Sequence, residues 1–290
     1  MDKRLELMLQ RYRTDTRQDY INALKEIMQE IALLALWRSK FFLKATFYGG
    51  TALRILYQLE RFSEDLDFSL LTATPDFNLE SYNSAIQIEL ESFGISAEVD
   101  TKTKTKISQI KSAFIKSGTK KQLIMIKAPD IVTSAMHENE LIKIKIKMEI
   151  DVDPPGGFET EAKTLLQPMP FSVLTMQLPD LFAGKLHAVI GRQWKTRVKG
   201  RDWYDLVWFI ARETSVRVEH LKQRLIQSQH WSADKPFTRK ELLDLLNERI
   251  KQVDFKAAQQ EVLPFIKDQA SIALWSDQFF SDLIQRIEVI

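Results

Sequence analysis

The stretch that most limits the fold of this chain is Tyr48–Leu70, YGGTALRILYQLERFSEDLDFSL, where a helical period gives way to a strand period. Ala52, Leu53, Ile55, Leu56 and Leu59 fit one face of a short helix beginning at or near Thr51. The first turn of such a helix leaves backbone N–H groups unpaired, and Gly49 and Gly50 let an anion, most simply a polyphosphate, come close to them. After a turn at Arg61–Glu64, Asp65-Leu66-Asp67-Phe68-Ser69-Leu70 alternates polar and apolar residues as a half-buried strand does. Side chains two apart in a strand share a face, so Asp65 and Asp67 project together from backbones roughly 7 Å apart. Paired carboxylates repel unless a cation lies between them, and hard oxygen ligands suit Mg²⁺. A phosphate cradle and a metal pair, one helix apart, describe a nucleotide site.

G-G-T, a short helix and S-E-D-L-D together resemble the signature of the nucleotidyltransferase fold shared with DNA polymerase β. More narrowly, GGTALR followed by RFSEDLDF is similar to the AbiEii family, toxins of bacterial type IV toxin–antitoxin and abortive-infection (phage-defence) systems. The resemblance implies an α+β fold: a mixed-sheet catalytic lobe over residues 45–177, preceded by an N-terminal helical segment (1–44) and followed by a C-terminal helical lobe (178–290). It implies transfer of a nucleoside monophosphate from an NTP, with Mg²⁺, to an RNA acceptor, in the family the tRNA 3′ end. It also implies a cognate winged-helix antitoxin that forms no stable complex with the toxin. The alternatives are a small-molecule nucleotidyltransferase and a non-catalytic nucleotide-binding protein.

Composition agrees with a globular chain: 290 residues, 44% of them hydrophobic, can bury a substantial core. No run has the length of a membrane span and the charged start is unlike a secretory signal, which points to a cytoplasmic protein. With no cysteine, thiolate zinc sites and cysteine nucleophiles are excluded. The net charge of +2 says little, but its distribution is uneven. Residues 101–128 hold eight lysines and no acid. They read as a hairpin with a basic face, on which Lys102, Lys104 and Lys106 are candidates for holding an RNA backbone, against the alternative of a protected sheet edge. A second basic segment, with Arg192, Lys195, Arg197 and Lys199, is the other candidate track.

Before these come Tyr20, Ile21, Leu24, Ile27, Met28, Ile31 and Leu34, which recur at helical spacing behind a cap at Asp15 or Thr16 and predict a helix completing the catalytic core as a lid. Another helix is expected from Asn78 or Leu79 to Phe93, stopped by Gly94. The strand I-K-I-K-I-K-M-E-I-D-V-D, Ile142–Asp153, puts its apolar side chains on one face and Lys143, Lys145, Lys147, Glu149, Asp151 and Asp153 on the other. In folds of the resembled kind a neighbouring strand supplies a third carboxylate; Glu149 is the first choice and Asp151 the second. A proline-rich linker, Pro168–Pro179, leads to the helix DLFAGKLHAVIGR, where Lys185 interrupts the buried stripe and suits a triphosphate. The K-L-x-A setting of Lys185 matches a functional lysine of the family. The R-D-x-x-D-L that follows places Asp202 and Asp205 on a nearly apolar helix. Asp202 is favoured as the member facing the site, with Asp205 the other candidate, one of them pairing with Lys185 or Arg201. Asp65, Asp67, Glu149, Asp151, Lys185 and Asp202 are thus the expected catalytic group, with Asp65, Asp67 and Glu149 as metal ligands. Gly49, Gly50, Thr51, Arg54, Ser63, Lys185 and Asp205 are the expected nucleotide-binding group. Thr238–Glu241 has the spacing of a capping box, and only helices are expected from Thr214 onward.

Overall fold

A computed structural model of the chain describes residues 2–100, 119–127, 143–192 and 198–290, with the side chains of 97–100, 119–127 and 143 left out of account. Lys102, Lys104, Lys106, Lys195 and Arg197 lie outside the described residues.

The centre is a seven-stranded mixed sheet: β1 (Ala45–Tyr48), β2 (Asp65–Leu70), β3 (Ala97–Asp100), β4 (Thr119–Lys127), β5 (Lys143–Asp151), β6 (Thr160–Leu165) and β7 (Phe171–Met176). Its order is β3-β4-β5-β2-β1-β7-β6, with β2 parallel to β5, β1 parallel to β7 and the other neighbours antiparallel. The alternation in β5 does what its period requires: Ile144, Ile146, Met148 and Ile150 are buried, and the charged residues between them take the other face. Residues 119–127 are a strand, as expected, paired with β3 and β5; the other half of the expected hairpin, 101–118, lies outside the described residues. The stretch assigned to a proline-rich linker contains β7, an apolar run that pairs in parallel with β1 through Phe47 and Thr175.

Helix α1 (Lys3–Leu9) leads to α2 (Arg17–Arg38), whose N-cap is Thr16; the hydroxyl accepts from Asp19 N at 3.1 Å. From Ile31 to Leu36 every residue of α2 is buried, so α2 completes the core of the sheet as its helical spacing predicts. A 3₁₀ turn at Leu79–Tyr82 precedes α4 (Asn83–Ser92), and Gly94 follows with φ +74° as an ordinary helix stop. Leu66, Phe68 and Leu70 point into the same core, where Phe41 stands edge-on to Phe68 and Tyr82 at 4.9 and 5.0 Å.

A second apolar cluster is built from α5 (Leu178–Gly191), α6 (Gly200–Ala211), α7 (Val218–Gln227), α8 (Arg239–Ile250), α9 (Phe255–Val262) and α10 (Asp277–Leu283) around fully buried Trp203. The capping box at Thr238 and Glu241 forms as its spacing predicts. Helix α3 (Gly49–Tyr57) belongs to both clusters, giving Ala52 to the sheet core and Leu53 and Tyr57 to the helical one. The element that carries the glycines is where the two cores meet. No helix among the described residues is long and apolar enough to cross a membrane.

Candidate active site

Strand register collects the acidic residues. Asp67 is level with Glu149 on β5 and with Tyr48 on β1, so the three side chains share one face across three adjacent strands. Asp65 is level with Lys147, and Asp151 with buried Ser69, two residues further along. Glu149, not Asp151, is therefore the β5 carboxylate beside the aspartate pair, and Asp151 takes the N–H of Asp153 at 3.1 Å. Lys147 lies among these groups, its Nζ 2.6 Å from Oε1 of Glu149. Partial burial lowers the ammonium pKa, but Glu149, Asp65 and Asp67 outweigh it and raise the value. Asp65 is raised chiefly by burial, with Lys147 pulling down and Glu149 and Glu64 pushing up.

Helix α3 starts at Gly49, two residues before the expected start, and is packed directly on these carboxylates. Gly49 has φ +84°, and a Cβ there would lie 2.3 Å from Oδ2 of Asp67. A Cβ on Gly50 would lie 2.7 Å from Oγ of Ser63 and 2.9 Å from an Arg61 nitrogen. Both glycines are required by close approach, and the helix has no side-chain N-cap. The first turn of α3 thus lies against Asp67, Ser63 and Arg61. Thr51 is fully buried and its hydroxyl donates to the carbonyl of Asp65, so its side chain fastens α3 to β2. Gln29 of α2 fixes the intervening turn, its amide donating to the carbonyls of Ser63 and Glu64 at 3.2 and 3.0 Å.

Arg54, grouped from sequence with the nucleotide-binding residues, sits in the last turn of α3, at the far end from the glycines. Its guanidinium pairs with Glu26 at 2.8 Å, donates to the carbonyls of Leu59 and Glu60 and lies over the Phe62 ring. It is a strut between α2 and the turn.

On the helical side, Lys185 reaches Oδ2 of Asp205 at 2.7 Å, and Arg61 grips both oxygens of the same carboxylate at 2.6 Å each. Burial alone would raise the pKa of Asp205; Arg61 and Lys185 together hold it below the ordinary carboxylate range. Asp205 is fully buried and Arg61 is 3% exposed, while Lys185 keeps 14% exposure. Of the two aspartates expected to offer a partner to Lys185 or Arg201, Asp205 makes the pair with Lys185, and Asp202, the member expected to face the site, pairs with Arg192. Arg201 turns to Glu261 at 3.4 Å and Glu64 at 3.8 Å. Lys199 is half-buried, and burial together with Arg192 and Arg201 lowers its pKa.

Two cations of this region are weakly marked in the sequence. Arg61 has two local signs, an arginine in the turn before Ser63 and an R-D-x-x-D helix. Arg224 of α7 has none; its guanidinium stands 5.8 Å from the Tyr48 ring centre.

Comparison with known proteins places this arrangement. The AbiEii family, described as nucleotidyl transferase AbiEii toxins of type IV toxin–antitoxin systems, matches residues 31–281. The chain belongs to the AbiEii family and is a nucleotidyltransferase of its toxin class. Membership of a toxin–antitoxin system implies an antitoxin partner. Among solved structures, MenT4, a nucleotidyltransferase toxin from Mycobacterium tuberculosis H37Rv, is similar over 97% of this chain and 98% of its own, with 14% identity and a TM-score of 0.53. That likeness shows the α+β nucleotidyltransferase-toxin fold. JHP933 from Helicobacter pylori is similar over 91% of this chain and 90% of its own, at 16% identity and a TM-score of 0.45. No curated protein matches the sequence.

Proposed function

We propose that this enzyme transfers a nucleoside monophosphate from an NTP to a hydroxyl of RNA, the 3′ end of tRNA being the acceptor, and so blocks translation in the cytoplasm. The reading is carried by one observation: Glu149 and Asp67 stand level on adjacent strands, with the open end of α3 pressed against Asp67 at Gly49. The main-chain N–H groups of Gly49, Gly50 and Thr51, with Ser63, cradle the phosphates. Lys185 neutralises triphosphate charge, and the buried Asp205–Arg61 pair positions its ammonium.

Among the described residues no group of three His, Cys, Asp or Glu side chains forms a ready-made metal cage. The chemistry of the donors nevertheless fits Mg²⁺: hard oxygens of Asp65, Asp67 and Glu149 on one face, around a Lys147 ammonium that stands in as a cation at 2.6 Å. When bound, the metal supplies charge stabilisation at the phosphoryl oxygens and a more acidic attacking hydroxyl. Glu149, level with Asp67, is also assigned to accept the hydroxyl proton.

The basic residues Arg192 and Lys199, at the junction of α5 and α6, suit an RNA backbone. The partner is a winged-helix antitoxin that neutralises without stable binding, as part of phage defence; rescue of growth on co-expression, with no co-purification, tests this. The activity is tested by incubating the protein with Mg²⁺, total tRNA and each of the four radiolabelled NTPs in turn. Asp67-dependent label in tRNA is expected; no label in any RNA from a protein that binds nucleotide overturns the RNA acceptor.

A further inference from the structure

Helix α7 lies against the chain that leaves β5. Gln227 donates its amide to the carbonyl of Asp153 at 2.7 Å, and Nδ1 of His220 is 3.1 Å from the carbonyl of Gly156. This brings Arg224 over the Tyr48 ring, which is level with Asp67 and, through Asp67, with Glu149. Tyr48 is the probe of that neighbourhood. Burial raises its pKa first, Asp67 adds to the rise, Arg224 opposes it, and Asp151 and Glu149 push it further, so all four charges act on one phenol.

Arg224 is a cation with little to hold it there. Among the described residues it has no carboxylate within ion-pair distance, and its Nε is buried without a hydrogen-bond partner. One terminal nitrogen is 3.4 Å from Nε2 of His220. That imidazole is kept neutral by burial, its pKa lowered to about 3; with Nδ1–H directed at Gly156, Nε2 is the acceptor and the Arg224 N–H the donor. A neutral imidazole and a tyrosine face orient a guanidinium without discharging it. On α5, a Cβ at Gly184 would lie 4.0 Å from Cζ of Arg224, so any side chain longer than a methyl would fill the gap between this cation and the helix that bears Lys185. Arg54, Arg61, Arg201 and Arg217 are each ion-paired, and half-buried Arg239 and Arg249 donate to main-chain carbonyls, whereas the partners shown for Arg224 are an imidazole and a ring face.

An oriented guanidinium without its own anion matches the fork geometry of a phosphate. We propose that Arg224 is a second phosphate-binding group of the site, on the Tyr48–Asp151 flank of the carboxylates, distinct from the Lys185–Arg61–Asp205 group. This rests on the reading of the site as a nucleotidyl-transfer centre, whose two sources of phosphate are the NTP and the phosphodiester backbone of the acceptor.

The test is equilibrium binding of the full chain and its Arg224→Gln and Arg224→Lys variants to each of the four NTPs with Mg²⁺, and separately to total tRNA, with thermal unfolding measured alongside. Loss of a charged hydrogen-bond pair weakens the ligand concerned about 10- to 100-fold, and Arg224→Lys recovers part of the loss. A loss confined to NTP assigns the phosphate to the nucleotide. A loss confined to tRNA, with the salt slope of binding reduced by about one, assigns it to the acceptor. Affinities within twofold of wild type for both ligands in the folded Arg224→Gln variant overturn the assignment. If wild type binds and transfers normally in that case, Arg224 alone is wrong; if wild type binds neither ligand, the nucleotidyl-transfer reading fails with it.

Discussion

Glu149 stands level with Asp67 across the parallel pair β2–β5, and one step back along the same strands Lys147 stands level with Asp65. Three carboxylates and one ammonium therefore form a compact square on the sheet. Substituting Asp67→Asn keeps the shape and removes one charge. Nucleotidyl transfer should fall by about 10²–10³-fold or more, with cooperative unfolding retained by circular dichroism; a folded variant with normal activity would remove Asp67 from the metal set.

Lys147 competes with any divalent ion for the same oxygens. Lys147→Met should tighten Mn²⁺ binding about tenfold, since a unit charge near 4 Å is worth several kcal/mol at a protein surface and solvent recovers part of it. An electron-spin-resonance titration of free Mn²⁺ reads this directly. Unchanged or weaker binding would mean that the ammonium swings clear of the site at no cost.

Lys185 and Asp205 are joined, yet their substitutions should behave differently. Lys185→Met leaves Asp205 paired with Arg61, so stability should change little while turnover falls about 100-fold. Asp205→Ala strands a buried Arg61 beside Lys185 and should lower unfolding free energy by about 3–5 kcal/mol. Urea unfolding of the two variants separates them. Equal stability losses would show that Lys185 serves the fold.

Gly49 and Gly94 provide an internal control. Both have positive φ, at +84° and +74°, but a Cβ at Gly49 would strike Asp67 and one at Gly94 meets nothing within 4 Å. Each alanine variant should lose about 1–2 kcal/mol of stability for the left-handed backbone. Only Gly49→Ala should lose activity out of proportion to that, which initial-rate measurements on the folded fraction would show.

Glu30 sets a pH dependence. Burial raises its pKa from 4.5 to about 7, with Arg11 opposing and Glu26 adding to the rise. Because the folded-state value is the higher one, the folded protein holds the proton more tightly; this contribution is fully present below about 4.5 and is lost as pH rises to about 7. Thermal stability measured across that window should fall by up to about 3 kcal/mol, and Glu30→Gln should flatten that part of the profile.

What was legible in the sequence followed from local period. Alternation put Asp65 and Asp67 on one face of β2 and Glu149 and Asp151 on one face of β5, and a helical stripe broken by Lys185 marked that lysine, because each pattern is set within a few residues; the register that sets Glu149 beside Asp67 is not local. The choice between Asp202 and Asp205 was not local. Three positions apart on one helix, they differ only in what faces them: Arg192 for one, Lys185 and Arg61 for the other. β7 hid between prolines because its alternation runs over only six residues and its pairing, antiparallel to β6 and parallel to β1, is not a local property. Thr51 looked like a phosphate ligand, but its hydroxyl was already committed to Asp65. Arg224 left no trace, since α7 is an ordinary amphipathic helix until the loop after β5 is packed on it.

The grip of Arg61 on Asp205 spans 144 positions of chain, and that distance is also an interval of time. At ribosomal rates the aspartate is made roughly 7–30 s after the arginine. A nascent chain that has completed β2 therefore carries Asp65, Asp67 and Arg61 but neither Glu149 of β5 nor the aspartate that Arg61 and Lys185 share. The joint between the two cores at Arg61 and Asp205 thus closes only once α6 has been made.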